Sequence, residues 1–282
     1  MNYRHAYHAG NFADVVKHAV LARILVHLRS KPAAFRVIDS HAGTGRYDLA
    51  GPQAARSGEW HRGVERIFSA GLDPGAAALL APYLGVLAAH NSDGRLRVYP
   101  GSPAIARALL RPQDRLLACE LEPKAAALLR HNFAHDRRVK VVAIDGWRAL
   151  GAFVPPPERR GLVLIDPPYE EPGDFSNLVR GLDAAHRRWA HGIYLLWYPV
   201  KGRAQPDALA RRLRGCGISR ILRAELNIAP ASNPNELTGC GLITVNPPWL
   251  LEGELRTLLS GLCPLLAGES GGSTRLDWIA GE

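Results

Sequence analysis

Asp166-Pro167-Pro168-Tyr169 closes an apolar run, Gly161 to Ile165, that reads as a buried strand. An acid, two residues without a backbone donor and a flat aromatic suit a strand end that holds something, and strand ends are where open α/β sheets bind ligands. The chemistry they suit is attack by a weak nitrogen nucleophile. An amino group on a heteroaromatic ring has its lone pair delocalised. Two acceptors fixed beside it, the Asp166 carboxylate and the Pro167 carbonyl, hydrogen-bond its protons and favour a pyramidal nitrogen. The prolines restrict the backbone, so the acceptors stand in place before reaction. Tyr169 offers a face on which an extruded base stacks.

Upstream, Val37–Tyr47 (VIDSHAGTGRY) reads as strand then turn, with Gly43 and Gly45 small enough to let a ligand approach the backbone. A pyrophosphate loop calls for GxGxxG, whereas Arg46 and Tyr47 follow the second glycine here. The loop suits S-adenosylmethionine better, which carries no phosphate and needs close packing on its amino acid and sugar. Glu120, ending the next strand signal, is placed to bind both ribose hydroxyls. Asp145-Gly146 ends a third and is placed to accept from the adenine amino group. Each acid singly reads as well as a helix N-cap or a surface charge. Three strand ends in order, with Asp166 fourth, carry the reading together. The sulfonium brings an already activated methyl group, so attack needs positioning and acceptors rather than a strong base.

The elements that must position these residues are legible in outline. Strand signals recur at Phe35–Ser40, before Glu120, at Val139–Gly146, Gly161–Ile165 and Gly192–Pro199, and in SRILRAELNI and CGLITVNPPW. Helical patterns separate them, which predicts an α/β, mostly parallel, doubly wound sheet of seven strands. An opening helix is expected from Asn11 to about Leu28, with Val15, Val16, Ala19, Val20, Ile24 and Leu28 on a broad apolar face and Lys17 and His18 near its edge. One interval breaks the rhythm. In a nucleotide-binding unit the acid ending the second strand lies about 20 residues beyond the glycine loop, but Gly45 and Glu120 are 75 apart. Helix-like stretches at Glu59–Ala70 and Gly75–Ala89 fill the gap. Residues 46–100 are therefore expected to form an inserted helical subdomain within a Rossmann-like domain of residues 1–45 and 101–282. Ser102 is expected to cap the helix that resumes there, with Pro103 first in the helix, and to open its backbone donors towards the glycine loop.

A chain 47% hydrophobic and 22% charged fits a folded domain. No apolar run reaches membrane-spanning length, and Met1–His18 lacks the apolar core of a secretory signal, so no membrane association and a cytoplasmic location are expected. The four cysteines, Cys119, Cys216, Cys240 and Cys263, form no CxxC pair, and His5 and His8 have no acidic or thiol neighbour in sequence. No metal is expected. A net charge of +9 points to a polyanionic partner. Arg137-Arg138, Arg159-Arg160, Arg187-Arg188 and Arg211-Arg212 each read singly as a solvated helix end or loop; their sum favours nucleic acid.

The tetrapeptide at Asp166 resembles motif IV of amino-methyltransferases acting on adenine N6 or cytosine N4. The likeness extends through YRHAYHAGNFADVVKH, DSHAGTGRYDL, YPGSPAIARALL, DGWRAL, LIDPPYE, GIYLLWYP and NPPW, from Tyr3 to Trp249. Together these are similar to the bacterial 23S ribosomal RNA adenine-N6 methyltransferases of the RlmJ family. The resemblance implies a Rossmann-like class I S-adenosylmethionine-dependent fold with a small helical insertion, and the activity of a 23S rRNA (adenine(2030)-N6)-methyltransferase without a metal. By the same likeness His18, His41, Gly43, Ser102, Glu120, Asp145, Gly146 and Asp166 line the cofactor site. Asp166, Pro167 and Tyr169 carry the chemistry, and Tyr3 contacts RNA. A monomer acting on naked or partly assembled 23S rRNA is expected, since such enzymes need exposed or extrudable bases.

A second match, Asn246-Pro247-Pro248-Trp249, follows GLITV. Order in the chain favours Asp166, which ends the fourth strand signal after the cofactor loop. Asn246 ends a late strand, where a sheet usually has its antiparallel edge, and is expected to close a structural turn. Two rival readings remain open at this level. A DNA adenine-N6 methyltransferase would share the motif, since it does not report the sugar. A catalytically inactive RNA-binding assembly factor could keep the fold without the chemistry.

Overall fold

The computed structural model describes residues 5–69, 71–171, 173–230 and 236–281. After a 3-10 turn at His5–Tyr7 comes helix α1 (Phe12–Arg29), capped by Asn11, whose side chain accepts from the Asp14 amide. Strand β1 (Arg36–Asp39) leads into β2 (Arg46–Asp48), then α2 (Pro52–Ser57), a 3-10 turn at Glu59–Arg62, α3 (Val64–Ser69), α4 (Pro74–His90) and β3 (Val98–Pro100). The chain then alternates: α5 (Ser102–Ala108), β4 (Arg115–Glu120), α6 (Pro123–Phe133), β5 (Val139–Ala143), α7 (Gly146–Phe153), β6 (Gly161–Ile165), α8 (Asp174–Arg188), β7 (Ile193–Val200) and α9 (Ala204–Arg214). It finishes with β8 (Ile221–Asn227), β9 (Gly239–Val245), α10 (Leu251–Ala267) and β10 (Ser273–Ala280).

The main sheet runs β10-β8-β9-β7-β6-β1-β4-β5. Strands β5, β4, β1, β6 and β7 are parallel, β9 is antiparallel to both β7 and β8, and β10 is antiparallel to β8. This is the mostly parallel, doubly wound sheet expected from the sequence with an eighth strand, so the expected count of seven falls short by one. The missed strand carries little apolar signal: Ile279 is its one buried residue. What draws it in is Arg223 on β8, 1% exposed, whose guanidinium donates to both carboxylate oxygens of Asp277 on β10 at 2.8 and 2.6 Å. A buried cation requires such a partner. The strand ending at Asn246 is likewise not the edge. β9 is paired on both sides and buried at all seven residues.

Residues 46–100 leave and rejoin the fold at one point. β2 pairs antiparallel with β3, and the Gly101 amide donates to the Gly45 carbonyl at 3.0 Å. The segment nonetheless shares its core with the sheet: Leu80, Tyr83 and Leu87 of α4 belong to the same buried cluster as Val15, Leu21 and Ile24 of α1. Helix α1 is thus enclosed by α4, α5, α10 and β9. That corrects its expected amphipathic placement, because Lys17 and His18 are 4% and 1% exposed rather than at an edge. A second core on the other face of the sheet joins α7, α8 and α9. Among the described residues no helix is long and apolar enough to cross a membrane.

Candidate active site

β1 is the switch point of the sheet, with β4 on one side and β6 on the other, so the ends of these three strands open one crevice. β1 ends at Asp39, 1% exposed. Ser102 Oγ donates to its Oδ2 at 2.7 Å. Burial raises this carboxyl to about 7; the Ser102 hydrogen bond opposes the rise, the Asp166 charge adds to it, and Lys17 opposes it. Ser102 is therefore not the N-cap that its sequence suggests. Gly101 occupies the cap, and Ser102, already helical, turns its hydroxyl to Asp39. Asp39 escaped the sequence reading, although an acid closing the first strand is the same kind of signal that marks Glu120.

Asp39 makes a measurable prediction. A carboxyl whose folded pKa is raised binds more protons folded than unfolded between about pH 4 and pH 7. Its contribution to stability therefore falls as pH rises through that window, by about 4 kcal/mol at most. In urea unfolding, Asp39→Asn should gain on the wild type as pH is raised from 4 to 8. Parallel pH profiles for the two proteins would refute the assignment.

His41 follows in the loop after β1. Ser40 Oγ donates its one proton to the Leu164 carbonyl at 2.9 Å and lies 2.8 Å from His41 Nδ1. The hydroxyl therefore accepts from Nδ1–H, which leaves Nε2 as an acceptor. Burial lowers this imidazole to about 4 against the opposing charges of Asp166, Asp145 and Asp174. The ring packs edge-on to Trp147, at 5.2 Å between centroids, and lies on Gly146, where a Cβ would come within 2.5 Å of Nε2. Gly146 is thus a steric requirement of His41. Asp145 beside it is the N-cap of α7, its Oδ1 accepting from the Arg148 amide at 2.9 Å.

The glycine loop closes on Glu120 at the end of β4. The Gly43 amide donates to Glu120 Oε2 at 2.8 Å, and the Glu122 amide to Oε1 at 2.8 Å. Burial raises the Glu120 carboxyl while those amides oppose the rise. Each oxygen keeps a further lone pair for an incoming hydroxyl. Gly43 has φ +61°, and a Cβ there would sit 2.2 Å from Tyr47 Oη. Neither condition suits another residue.

Two adjacent residues of α1, Lys17 and His18, are buried with polar partners. His18 Nδ1 meets Tyr99 Oη at 2.7 Å, and Tyr99 Oη meets Tyr83 Oη at 2.9 Å. Burial holds His18 well below the usual imidazole range, and its buried Nε2 has no hydrogen-bond partner among the described residues. Lys17 Nζ stands 2.8 Å from Asp14 Oδ1 and 2.5 Å from Asp166 Oδ2. Asp14 Oδ2 in turn accepts from His5 Nε2 at 3.0 Å and the Gly10 amide at 2.9 Å. Sequence reasoning missed this cation and its second acid. The available signal was an acid and a base three residues apart among apolar residues in the first half of the helix.

Asp166 leaves β6, buried at every residue, and reaches the crevice directly. Pro167 behind it is buried. Tyr169 adopts φ +54°, donates its hydroxyl to the Trp197 carbonyl at 2.6 Å, and packs against Phe175 and Trp197 at 4.8 and 5.6 Å between centroids. Its ring is therefore locked as a wall beside Asp166. Tyr3 lies outside the described residues. The turn at His5–Tyr7 brings His5 edge-on to Tyr47 of β2, at 4.9 Å between centroids. The second NPP motif goes elsewhere. Asn246 Nδ2 donates to the carbonyls of Ala190 and Gly192 at 2.7 and 2.8 Å, at the entry of β7 and the opposite end of the sheet. Among the described residues no group of three His, Cys, Asp or Glu side chains is arranged to hold a metal.

The chain matches, over residues 32–280, the family described as RsmJ: Ribosomal RNA large subunit methyltransferase D, RlmJ. It is 43% identical to Ribosomal RNA large subunit methyltransferase J of Escherichia coli (strain K12), covering 100% of both chains. The protein of the same name from Haemophilus influenzae (strain ATCC 51907 / DSM 11121 / KW20 / Rd) is 40% identical, again over 100% of each. Among solved structures, a protein from Legionella pneumophila str. Philadelphia 1 superposes with a TM-score of 0.87 at 33% identity, over 96% of this chain and 98% of that one.

Proposed function

We infer, for a chain that belongs to the ribosomal RNA large subunit methyltransferase J family, transfer of a methyl group from S-adenosylmethionine to the N6 of an adenine in 23S rRNA. The observation that carries the reading is Asp166, pinned through Oδ2 by Lys17 in the crevice shared with Asp39, His41 and Glu120. Residues 46–100 are read as a helical subdomain inserted into a methyltransferase domain of residues 1–45 and 101–282.

The pocket suits the methyl donor. His18 Nε2 is a buried polar atom without a partner among the described residues, Gly43 and Gly146 leave room where any side chain would collide, and Glu120 is oriented by two amides. Glu120 would hold the ribose hydroxyls, Asp145 and Gly146 the adenine end, and His18, His41, Gly43 and Ser102 the rest. The donor's part is an electrophilic methyl group on a sulfonium. The chain's own residues do the positioning. With Oδ2 taken by Lys17, Asp166 presents Oδ1 to the target amine, the Pro167 carbonyl offers a second acceptor, and together they orient the nitrogen lone pair. Tyr169, fixed by its bond to Trp197, backs the flipped base. Tyr3 is read as a contact of the N-terminal arm with RNA that is naked or partly assembled. Mass mapping of N6-methyladenine in 23S rRNA, with and without the protein, tests the function. Labelled methyl appearing in DNA but not rRNA, or in neither, would overturn it.

A further inference from the structure

α8 starts directly after the Asp166 loop and packs beside α9. Between their outward faces lies a solvent-open depression lined by Gly173, Ser176, Arg180, Arg211, Arg212 and Gly215. Ser176 and Arg180 are four apart and share a face of α8; Arg211 and Gly215 stand likewise on α9 and its C-cap. Arg180, Arg211 and Arg212 are all exposed.

Two arginines close by are matched by acids and these three are not, a state that Arg188 on α8 and Arg214 on α9 share among the described residues. Arg187 on α8 is matched by Asp183, and Arg203 before α9 by Asp207 and Glu225. Among the described residues none of Arg180, Arg211 and Arg212 forms a salt bridge with a carboxylate. Arg212 Nη1 donates to Ser176 Oγ at 2.7 Å and Arg180 to Asn177 Oδ1, so neutral partners aim two guanidiniums without cancelling their charge. Three like charges brought together from two helices repel each other in the free protein, and a polyanion lying between them reverses the sign of that term. Arginine forks match phosphate oxygens in pairs.

We propose that this depression binds the phosphodiester backbone of the RNA whose base is presented to Asp166, a reading that rests on the methyltransferase function above. It places a backbone contact on the segment that follows the catalytic loop, where it sets the register of the strand without reading its sequence.

The test is the full-length Arg180→Gln/Arg211→Gln/Arg212→Gln protein beside a control, Arg29→Gln/Arg95→Gln/Arg130→Gln, which removes the same charge from exposed positions on other elements. Affinity for a naked 23S rRNA fragment is measured across a salt series, together with kcat at saturating RNA and S-adenosylmethionine affinity. The depression variant should lose roughly tenfold in RNA affinity at low salt, and its slope of log K against log salt should flatten by about two to three. Its kcat and cofactor affinity should match the wild type, and the control should lose markedly less. Equal losses in the two variants would reduce the effect to net charge and overturn the proposal, as would no loss. Loss confined to assembled ribosomal particles would assign the depression to a protein surface and overturn it too. A wild type that neither binds nor methylates rRNA would instead sink the function itself.

Discussion

Asp166→Asn is expected to lower kcat by about 10²- to 10³-fold, the usual cost of removing one preorganised polar group from a transition state, with S-adenosylmethionine affinity near that of the wild type. The substitution keeps the shape of the side chain but removes the charge opposite Lys17, and it lets an amide nitrogen face an amine that needs an acceptor. Asn246→Ala is the matched control, because the two motifs look alike in sequence and lie at opposite ends of the sheet. It should cost about 1–3 kcal/mol of stability, since the carbonyls of Ala190 and Gly192 lose their donor, and leave kcat unchanged. Single-turnover methylation of rRNA and urea unfolding separate the two effects. An active Asp166→Asn enzyme beside an inactive Asn246→Ala protein would reverse the assignment of the motifs.

That Asp166 ends a buried strand after the glycine loop was legible in apolar runs and their spacing, whereas the edge position expected for Asn246 was not what the fold holds, since β9 is paired on both sides. Glu120 and Asp145 at strand ends were legible in the same way, as was the long interval after Gly45. Other features depend on what lies on the far side of an element. Periodicity along α1 shows an apolar face but does not report that α4, α5 and α10 close over the rest, so Lys17 and His18 read as edge residues. Ser102 precedes a proline and has the local chemistry of a cap; only the fold brings Asp39 within reach of its hydroxyl. β10 is held by an ion pair from a buried arginine, a tertiary requirement with no local signature. In each case a polar group was misplaced, and its partner lies at least 54 residues away in the chain: Lys17 with Asp166, Ser102 with Asp39, Arg223 with Asp277.

Lys17 turns that lesson into the second large effect. Its ammonium is enclosed between Asp14 and Asp166, so Lys17→Met leaves a buried acid without its cation and should cost about 3–5 kcal/mol. The pH dependence follows from the shifts. Burial pushes the Asp14 carboxyl up, but Lys17 and then His5 outweigh it and hold the group well below the usual carboxylate range. Asp14 therefore stabilises the fold above its unfolded pKa of about 3.9, and that contribution is lost as pH falls through the depressed folded value. Burial pulls Lys17 down, yet Asp14 and Asp166 raise it well above its ordinary value. Its share is present below about pH 10.4 and lost as pH rises through the folded value. The stability gap between wild type and Lys17→Met should thus be full near pH 7 and should shrink in strong acid, where the wild type gives up the same pair. Activity should fall alongside, because Asp166 loses the contact that fixes Oδ2 and leaves Oδ1 for the amine. A Lys17→Met protein as stable as the wild type at pH 7 would mean that the buried cation supports neither the helix nor the acid it pins.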